Sequence, residues 1–340
     1  MTLSNLKQIL YILLRTGFLV DYVRSCFNDK FIVSNKTYLA MRWLFVITGG
    51  LSNRILAMPF KIRYSLKRSK IFQRNYLDCL DKNGFLILDA NAHASRLAAL
   101  LRHDLASKQL REDLLITSGE KPLVFSTLRQ ALQSPKRRAP RLFHNMSDVF
   151  SSEYTWQLID QLHLVDLAAQ YFRCEPILTQ VQSWHVLPLR DDEYEQERLY
   201  DHAAQSFHFD MDWLQFLKFF INLTDVNEED GPFEYQLASH SGHHQLFDQR
   251  HAESELMTNI NVVKAVGNCG TCFVADTSGL HRDGRVMSGG RQVLQVEFAV
   301  AAFGALQLYQ PSIQDCKRSF SPENMTPFKS FRDRVFTLYK

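Results

Sequence analysis

From Ile177 onward the chain alternates short apolar segments with turn signals, and no other feature narrows its fold as far. The segments are Ile177–Leu187, Phe216–Leu223, Phe233–Leu237, Val262–Val266, Cys272–Ala275 and Val293–Ala301. Short strands separated by turns in this way predict a sandwich or jelly-roll barrel. The N-terminal part supplies the helices. Residues 5–75 read as mainly helical, and Gly84-Phe85-Leu86-Ile87-Leu88 is a buried-strand signal. Ala94 to Leu105 has helical periodicity, with Leu97, Leu101 and Leu105 in register and Leu100 on the same side. Residues 106–150 read as polar and loop-rich, with Ser134-Pro135-Lys136-Arg137-Arg138 as the expected exposed connection, and one helix is expected across Tyr154–Phe172. The fold class is therefore α+β.

With 340 residues, 46% hydrophobic and 22% charged, the chain can bury a substantial core. Its net charge of +3 conceals an asymmetry: residues 1–76 hold thirteen of the 39 Lys and Arg residues but only two of the 36 acids, Asp21 and Asp29. That first quarter carries +11 and the remainder −8. Three parts follow: a basic, mainly helical extension over 1–75, a catalytic-sized domain over 76–305, and a tail over 306–340 that packs on the domain.

Six scattered cysteines do not make a disulfide scaffold and point to a reducing compartment. The apolar run Ile9–Leu14, closed by Arg15, is too short for a secretory signal. That run and Trp43–Asn53 also fall far short of the ~20 apolar residues a spanning helix needs. A cytoplasmic protein is expected. For the basic quarter two readings compete: helices packing on the main domain with a solvated basic face, or peripheral attachment to an anionic membrane. No zinc-finger or RNA-recognition signature accompanies it, so no nucleic-acid partner is expected.

Three pieces of the C-terminal half carry chemistry. Phe207-His208-Phe209-Asp210 precedes a strand, and alternate side chains of an extended chain point the same way, so His208 and Asp210 can chelate one metal. Gly279-Leu280-His281-Arg282 adds a second imidazole. Two histidines and one carboxylate on one face of an octahedron are the facial triad of non-haem Fe(II) oxygenases, with open positions for a bidentate cosubstrate and O2. Arg291 lies ten residues after His281 across a turn (Asp283-Gly284, then Ser288-Gly289-Gly290). Its guanidinium can pair bidentately with the distal carboxylate of a 2-oxo acid.

Here the chain resembles the phytanoyl-CoA dioxygenase-like branch of the Fe(II)/2-oxoglutarate-dependent oxygenases. The likeness rests on LKFFINLTDVNEEDGPFEYQLASH (217–240), on the Gly270–Arg291 segment with TSGLHRDGR, and on GFLILDANAHASRLAALLRHDL (84–105), and it spans roughly 75–305. It implies a double-stranded β-helix, a cupin-like jelly roll, with flanking helices. It also implies His208, Asp210 and His281 on iron and Arg291 on 2-oxoglutarate, with Lys218, Phe220 and Asn222 bordering the cosubstrate pocket. The implied reaction consumes O2 and 2-oxoglutarate, releases succinate and CO2, and hydroxylates a C–H bond of a small-molecule or lipid-linked substrate. Retention of Asp210 argues against halogenation. The family's usual Gly-Ser-His is Ala238-Ser239-His240 here, and a Trp often found on the strand is Phe220.

Two further motifs have simpler readings. His240, His243, His244 and His251 are expected to line a loop at the barrel mouth rather than bind a second metal. Cys269-Gly270-Thr271-Cys272 reads as packing thiols at a strand edge, since no second cysteine pair accompanies it. The alternative to an enzyme is a catalytically silent jelly-roll binding module docked to a membrane or partner by the basic N-terminal segment.

Overall fold

Two antiparallel sheets face each other across a core of aromatic side chains. The structure is a computed structural model that describes residues 7, 11, 13–14, 16–66, 74–112, 121–137, 139–188, 206–241, 250–251, 261–319 and 333–340. The larger sheet runs in the order β1-β11-β7-β13-β5-β4-β2-β3 and the smaller β10-β8-β12-β6-β9, with β10 (Val262–Lys264) and β9 (Arg250–His251) at its edges. The main strands of the larger sheet are β1 (Phe85–Leu88), β4 (Arg141–His144), β5 (Ile177–Val186), β7 (Phe216–Asn222), β11 (Cys272–Ala275) and β13 (Arg291–Ala299). The smaller sheet places β6 (Phe207–His208), β8 (Phe233–Gln236) and β12 (His281–Asp283) opposite them. This is the double-stranded β-helix with flanking helices.

Strand β7 explains the layering. Leu217, Phe219 and Ile221 point outward into a core shared with the helices, while Phe220 joins Trp184, Phe233 and Phe273 between the sheets. Residues of a strand alternate faces, so Lys218 and Asn222 share the inward side with Phe220. The inner face of β13 carries Gln295 and Glu297 in the same alternation, so the space between the sheets is apolar at one end and polar at the other.

Helices α1 (Phe18–Phe27), α2 (Asn35–Thr48) and α3 (Leu51–Arg63) cover the outside. Ser34 caps α2 by accepting from Thr37 N at 3.2 Å, and Gly49, at φ 58°, ends it in the left-handed conformation that glycine adopts freely. Phe18 meets Phe303 edge-on at 5.5 Å and Phe45 stacks on Phe209 at 6.0 Å, so this basic quarter shares the hydrophobic core with the β-domain. Helix α4 (Arg74–Asn83) leads into β1, and α5 (Ala92–Leu105) is capped by Asn91. At the other terminus Phe336, Leu338 and Tyr339 are buried, Tyr339 lying 4.7 Å from Phe150.

Two expectations are corrected. The described residues of 106–150 are not mainly loop: β2 (Leu110–Glu112), β3 (Val124–Phe125) and β4 extend the larger sheet, with α6 (Leu128–Gln133) and α7 (Met146–Ser151) between and after them. Strands this short have no periodicity of their own, and their pairing is non-local. In the expected exposed connection Pro135 and Lys136 are exposed, whereas Arg137 is buried and donates to the Ala139 and Pro188 carbonyls; Arg138 lies outside the described residues. The single helix over 154–172 is two, α8 (Glu153–Gln161) and α9 (Leu164–Phe172), parted by His163 at φ 53°. A left-handed residue cannot continue a helix. Among the described residues no helix is long and apolar enough to cross a membrane.

Candidate functional site

Strands β6 and β12 pair with His208 directly opposite His281, and their rings lie 4.3 Å apart. Asp210 follows two residues after His208, its backbone N–H donating to the Thr277 carbonyl at 2.7 Å. The ligand atoms of His208, Asp210 and His281 all fall within 4.8 Å of one another. His208 Nε2 is 3.9 Å from Asp210 Oδ1, and His281 Nε2 is 3.4 Å from Oδ2.

The ring tautomers follow from the backbone. His208 Nδ1 lies 2.9 Å from the Ser206 carbonyl and His281 Nδ1 2.9 Å from the Gly279 carbonyl. A carbonyl oxygen only accepts, so each Nδ1 carries a proton and each ring presents its other nitrogen, Nε2, to the carboxylate. This is how metal-binding histidines are oriented in general. Phe233 stacks on the His281 ring at 5.3 Å and fixes its plane.

Behind Asp210 sits a charged cluster that the sequence reading did not find. Lys218 Nζ is 2.7 Å from Asp210 Oδ2, 3.0 Å from Asp212 Oδ2 and 3.4 Å from Glu297 Oε2. Burial alone would lower the lysine pKa, but these three carboxylates outweigh it and hold the ammonium well above its usual range. Burial would likewise raise Asp210, yet Lys218 and the two histidines keep it well below the usual carboxylate range. Glu297 is buried on all sides, and burial pushes its carboxyl up to about 7 despite Lys218 and the bonds from Thr179 Oγ1 and Trp213 Nε1.

The triad opens into a cavity of about 230 Å³ between the sheets. Phe220, Phe233, Trp184 and Phe143 form its apolar walls, and Lys218 and Arg141 are its cations. Of the three residues that the family resemblance places at the cosubstrate pocket, Lys218 and Phe220 line this cavity. Asn222 does not: it is buried farther along β7, and its amide has no hydrogen-bond partner among the described residues. Arg291 is buried at the start of β13, where it donates to the Gly231 carbonyl at 2.7 Å and ion-pairs with Asp283. It lines a neighbouring cavity of about 630 Å³ with His144, His185 and Gln292. Asp283, two residues after His281 on β12, faces the triad cavity and also meets Arg141 Nη1 at 3.6 Å. Two arginines therefore flank one carboxylate, leaving a cationic end. Gly231 keeps that corner tight, since at φ +68° a Cβ there would strike Val286 and the Gly284 carbonyl.

The sequence reading missed Arg141, Asp212, Asp283 and Glu297. Their signal was faint: Gln295 and Glu297 interrupt an apolar strand at the period of one face. His240 is also placed differently from expectation. It is buried with Nε2 3.2 Å from the Asp81 carbonyl and lines a separate cavity of about 690 Å³ beside α3 and α9, not the triad's. His243 and His244 lie outside the described residues, as does the His251 side chain. Cys269 and Cys272 are free thiols: Cys272 is buried on β11 and Cys269 half-buried beside the Leu223 carbonyl.

Neither the protein-family models nor the curated proteins compared give a match. Among solved structures, AviO1 from Streptomyces viridochromogenes is 15% identical, with 68% of this chain and 96% of that one covered and a TM-score of 0.41. The epimerase SnoN in complex with Fe3+, alpha ketoglutarate and nogalamycin RO is 14% identical over 66% of this chain and 82% of its own, TM-score 0.43. EctD from S. alaskensis with 2-oxoglutarate and 5-hydroxyectoine is 14% identical over 69% and 81%, TM-score 0.42. At such identities the site's own geometry has to carry its functional reading.

Proposed function

We propose that the chain is an Fe(II)- and 2-oxoglutarate-dependent oxygenase that hydroxylates a C–H bond of a small-molecule or lipid-linked substrate, in the manner of phytanoyl-CoA dioxygenase-like enzymes. One observation carries the reading. Two imidazoles, each with Nδ1 pinned to a carbonyl, aim Nε2 at a carboxylate across a pocket between the sheets.

The donor set fits the group it would hold. Two neutral nitrogens and one carboxylate suit a divalent transition metal with open positions. Trp184 Nε1, buried in the pocket wall, donates to no acceptor among the described residues, so a polar ligand belongs beside it. Arg141, the arginine that lines the triad cavity, suits the distal carboxylate of a 2-oxo diacid, with Arg291 enclosed behind Asp283. When bound, iron and 2-oxoglutarate would supply O2 activation coupled to release of succinate and CO2.

The protein's own groups have separable roles. His208, Asp210 and His281 hold the metal, and Phe233 keeps the His281 ring in plane. Lys218 orients Asp210 and offsets the charge of three carboxylates. Phe220, Phe143 and Trp184 exclude water from the reacting centre. The silent-module reading gains nothing from a triad this complete.

The test is anaerobic titration of metal-free protein with Fe(II) and then 2-oxoglutarate, following the visible charge-transfer band. Wild type should develop the band and folded Asp210→Ala should not. A folded wild type that binds neither iron nor 2-oxoglutarate would remove the assignment.

A further inference from the structure

Helices α1 and α3 each carry two apolar faces, although packing uses only one. In α3 the inner face is Asn53, Ala57 and Phe60, and Leu51, Ile55, Met58 and Ile62 form an exposed stripe on the other side. Their spacing of four, three and four residues is that of one helical face. In α1, Phe18 and Ser25 are buried while Leu19, Val20, Val23 and Phe27 are exposed. These are not marginal exposures: Phe27 is 79% and Ile62 70% accessible. The two helices adjoin, with Tyr22 Oη donating to the Leu56 carbonyl at 2.8 Å and Arg63 to the Cys26 carbonyl. Among the described residues, twelve of the eighteen exposed large apolar side chains fall between positions 11 and 62. Scattered apolar residues need no explanation, but a concentration of this kind marks an interaction surface.

Charge identifies the partner. Arg24, Lys30, Lys36, Arg54 and Arg63 are exposed on the same helices and their connections. The only two acids among the first 76 residues are turned inward. Asp21 accepts from Thr37 Oγ1 at 2.6 Å and Asp29 from Tyr64 Oη at 2.6 Å. Lys30 Nζ donates to the Lys340 carbonyl at 2.9 Å; the other cations face outward in an apolar layer in which neither carboxylate of residues 1–76 is exposed. Pairing with a second copy would bring two such cationic layers together. We propose that the α1–α3 layer seats this protein on an anionic phospholipid bilayer, its stripes at the acyl boundary and its cations among the head groups. The same helix α3 walls the 690 Å³ cavity through Met58, Lys61 and Ile62, so the docked face and the cavity share one element. This proposal is independent of the enzymatic reading.

The test is co-sedimentation of the full chain with phosphatidylcholine vesicles containing about a quarter phosphatidylglycerol, against phosphatidylcholine alone. Binding is expected to the anionic vesicles and to weaken between about 0.1 M and about 1 M NaCl. Ile55→Gln with Ile62→Gln should lower the partition coefficient at least about tenfold. Arg24→Gln and Arg54→Gln should each lower it about fivefold, the equivalent of about 1 kcal/mol. Val124→Gln, an exposed apolar site on β3, should change nothing. All these side chains are solvent-exposed, so unchanged thermal midpoints verify folding. Equal binding to neutral vesicles, no binding, or unaltered binding by the variants would overturn the proposal. So would a dimer in analytical ultracentrifugation that the Ile55/Ile62 double variant dissociates, since that would give the face to a second copy.

Discussion

Lys218 Nζ lies 2.7 Å from Asp210 Oδ2, so the carboxylate proposed as a metal ligand is already held by a buried ammonium. The same lysine faces Asp212 and Glu297, and the ensemble carries one positive charge against three acids. A divalent cation held at Asp210 would relieve that excess.

Lys218→Met removes the central counter-charge and leaves buried carboxylates facing one another. Metal-free variant should lose about 3–5 kcal/mol of stability in urea unfolding. Added Mn(II) should raise its thermal midpoint by more than it raises wild type's, because the metal then neutralises charge the lysine no longer covers. Equal shifts in the two proteins would mean the cluster is structural and uncoupled from the metal site.

Arg141 and Arg291 flank Asp283, but their variants should differ. Arg141 lines the triad cavity, so Arg141→Gln should weaken 2-oxoglutarate binding to Mn(II)-loaded protein by about ten- to a hundredfold. Arg291 is fully enclosed, and burial lowers its pKa even though Asp283 opposes that. Arg291→Gln strips Asp283 of its closer partner and should cost about 3–5 kcal/mol of stability. Calorimetry with denaturant unfolding separates the two effects. Unchanged 2-oxoglutarate affinity in Arg141→Gln would take that residue out of the cosubstrate site.

How much of this was legible beforehand depended on range. Strands β5, β7, β8, β11 and β13 were readable because each is a run of apolar residues bounded by turns, whereas β6 and β12, two and three residues long, were not; that His208, Asp210 and His281 belong together was legible from residue type and order, which coordination chemistry constrains. Arg141 was not, since β4 is four residues long and gains its identity only by pairing with β5 and β2. Lys218 was placed on the correct face by family likeness, but its partners Asp212 and Glu297 come from segments 6 and 79 residues away. Alternation along β7 gives two faces and no means of choosing between them. Only the packing of Leu217, Phe219 and Ile221 under the helices makes Lys218 the inward residue.

Acid should destabilise the metal-free protein through His144 and His185, whose rings lie 5.5 Å apart on β4 and β5. Burial pushes His144 down to about 4, and burial with the neighbouring His144 pushes His185 down to about 3, from an ordinary 6.5. Between pH 6.5 and 4 the unfolded chain takes up protons that the folded one refuses, so stability falls as the pH falls. The loss is up to about 1.4 kcal/mol per pH unit for each histidine. Urea unfolding across that range should show a shallower slope in His185→Asn. An identical slope would mean the His185 ring takes up protons in the folded state as readily as in the unfolded one.

Gly279 links the backbone to the proposed metal site without being one of its three candidate ligands. Its carbonyl accepts from His281 Nδ1, and a Cβ at this position would strike Tyr235 Oη and crowd Ser239 Oγ. Tyr235 cannot easily yield, because it is fully buried and donates to the Asp276 carbonyl at 2.9 Å. Gly279→Ala should therefore displace the carbonyl that sets the His281 tautomer and ring angle. Outer partners of this kind are worth about ten- to a hundredfold in metal affinity. Co(II) titration should show that loss while all three ligands remain in the chain. Wild-type affinity in Gly279→Ala would show that the Phe233 stack alone suffices to orient the ring.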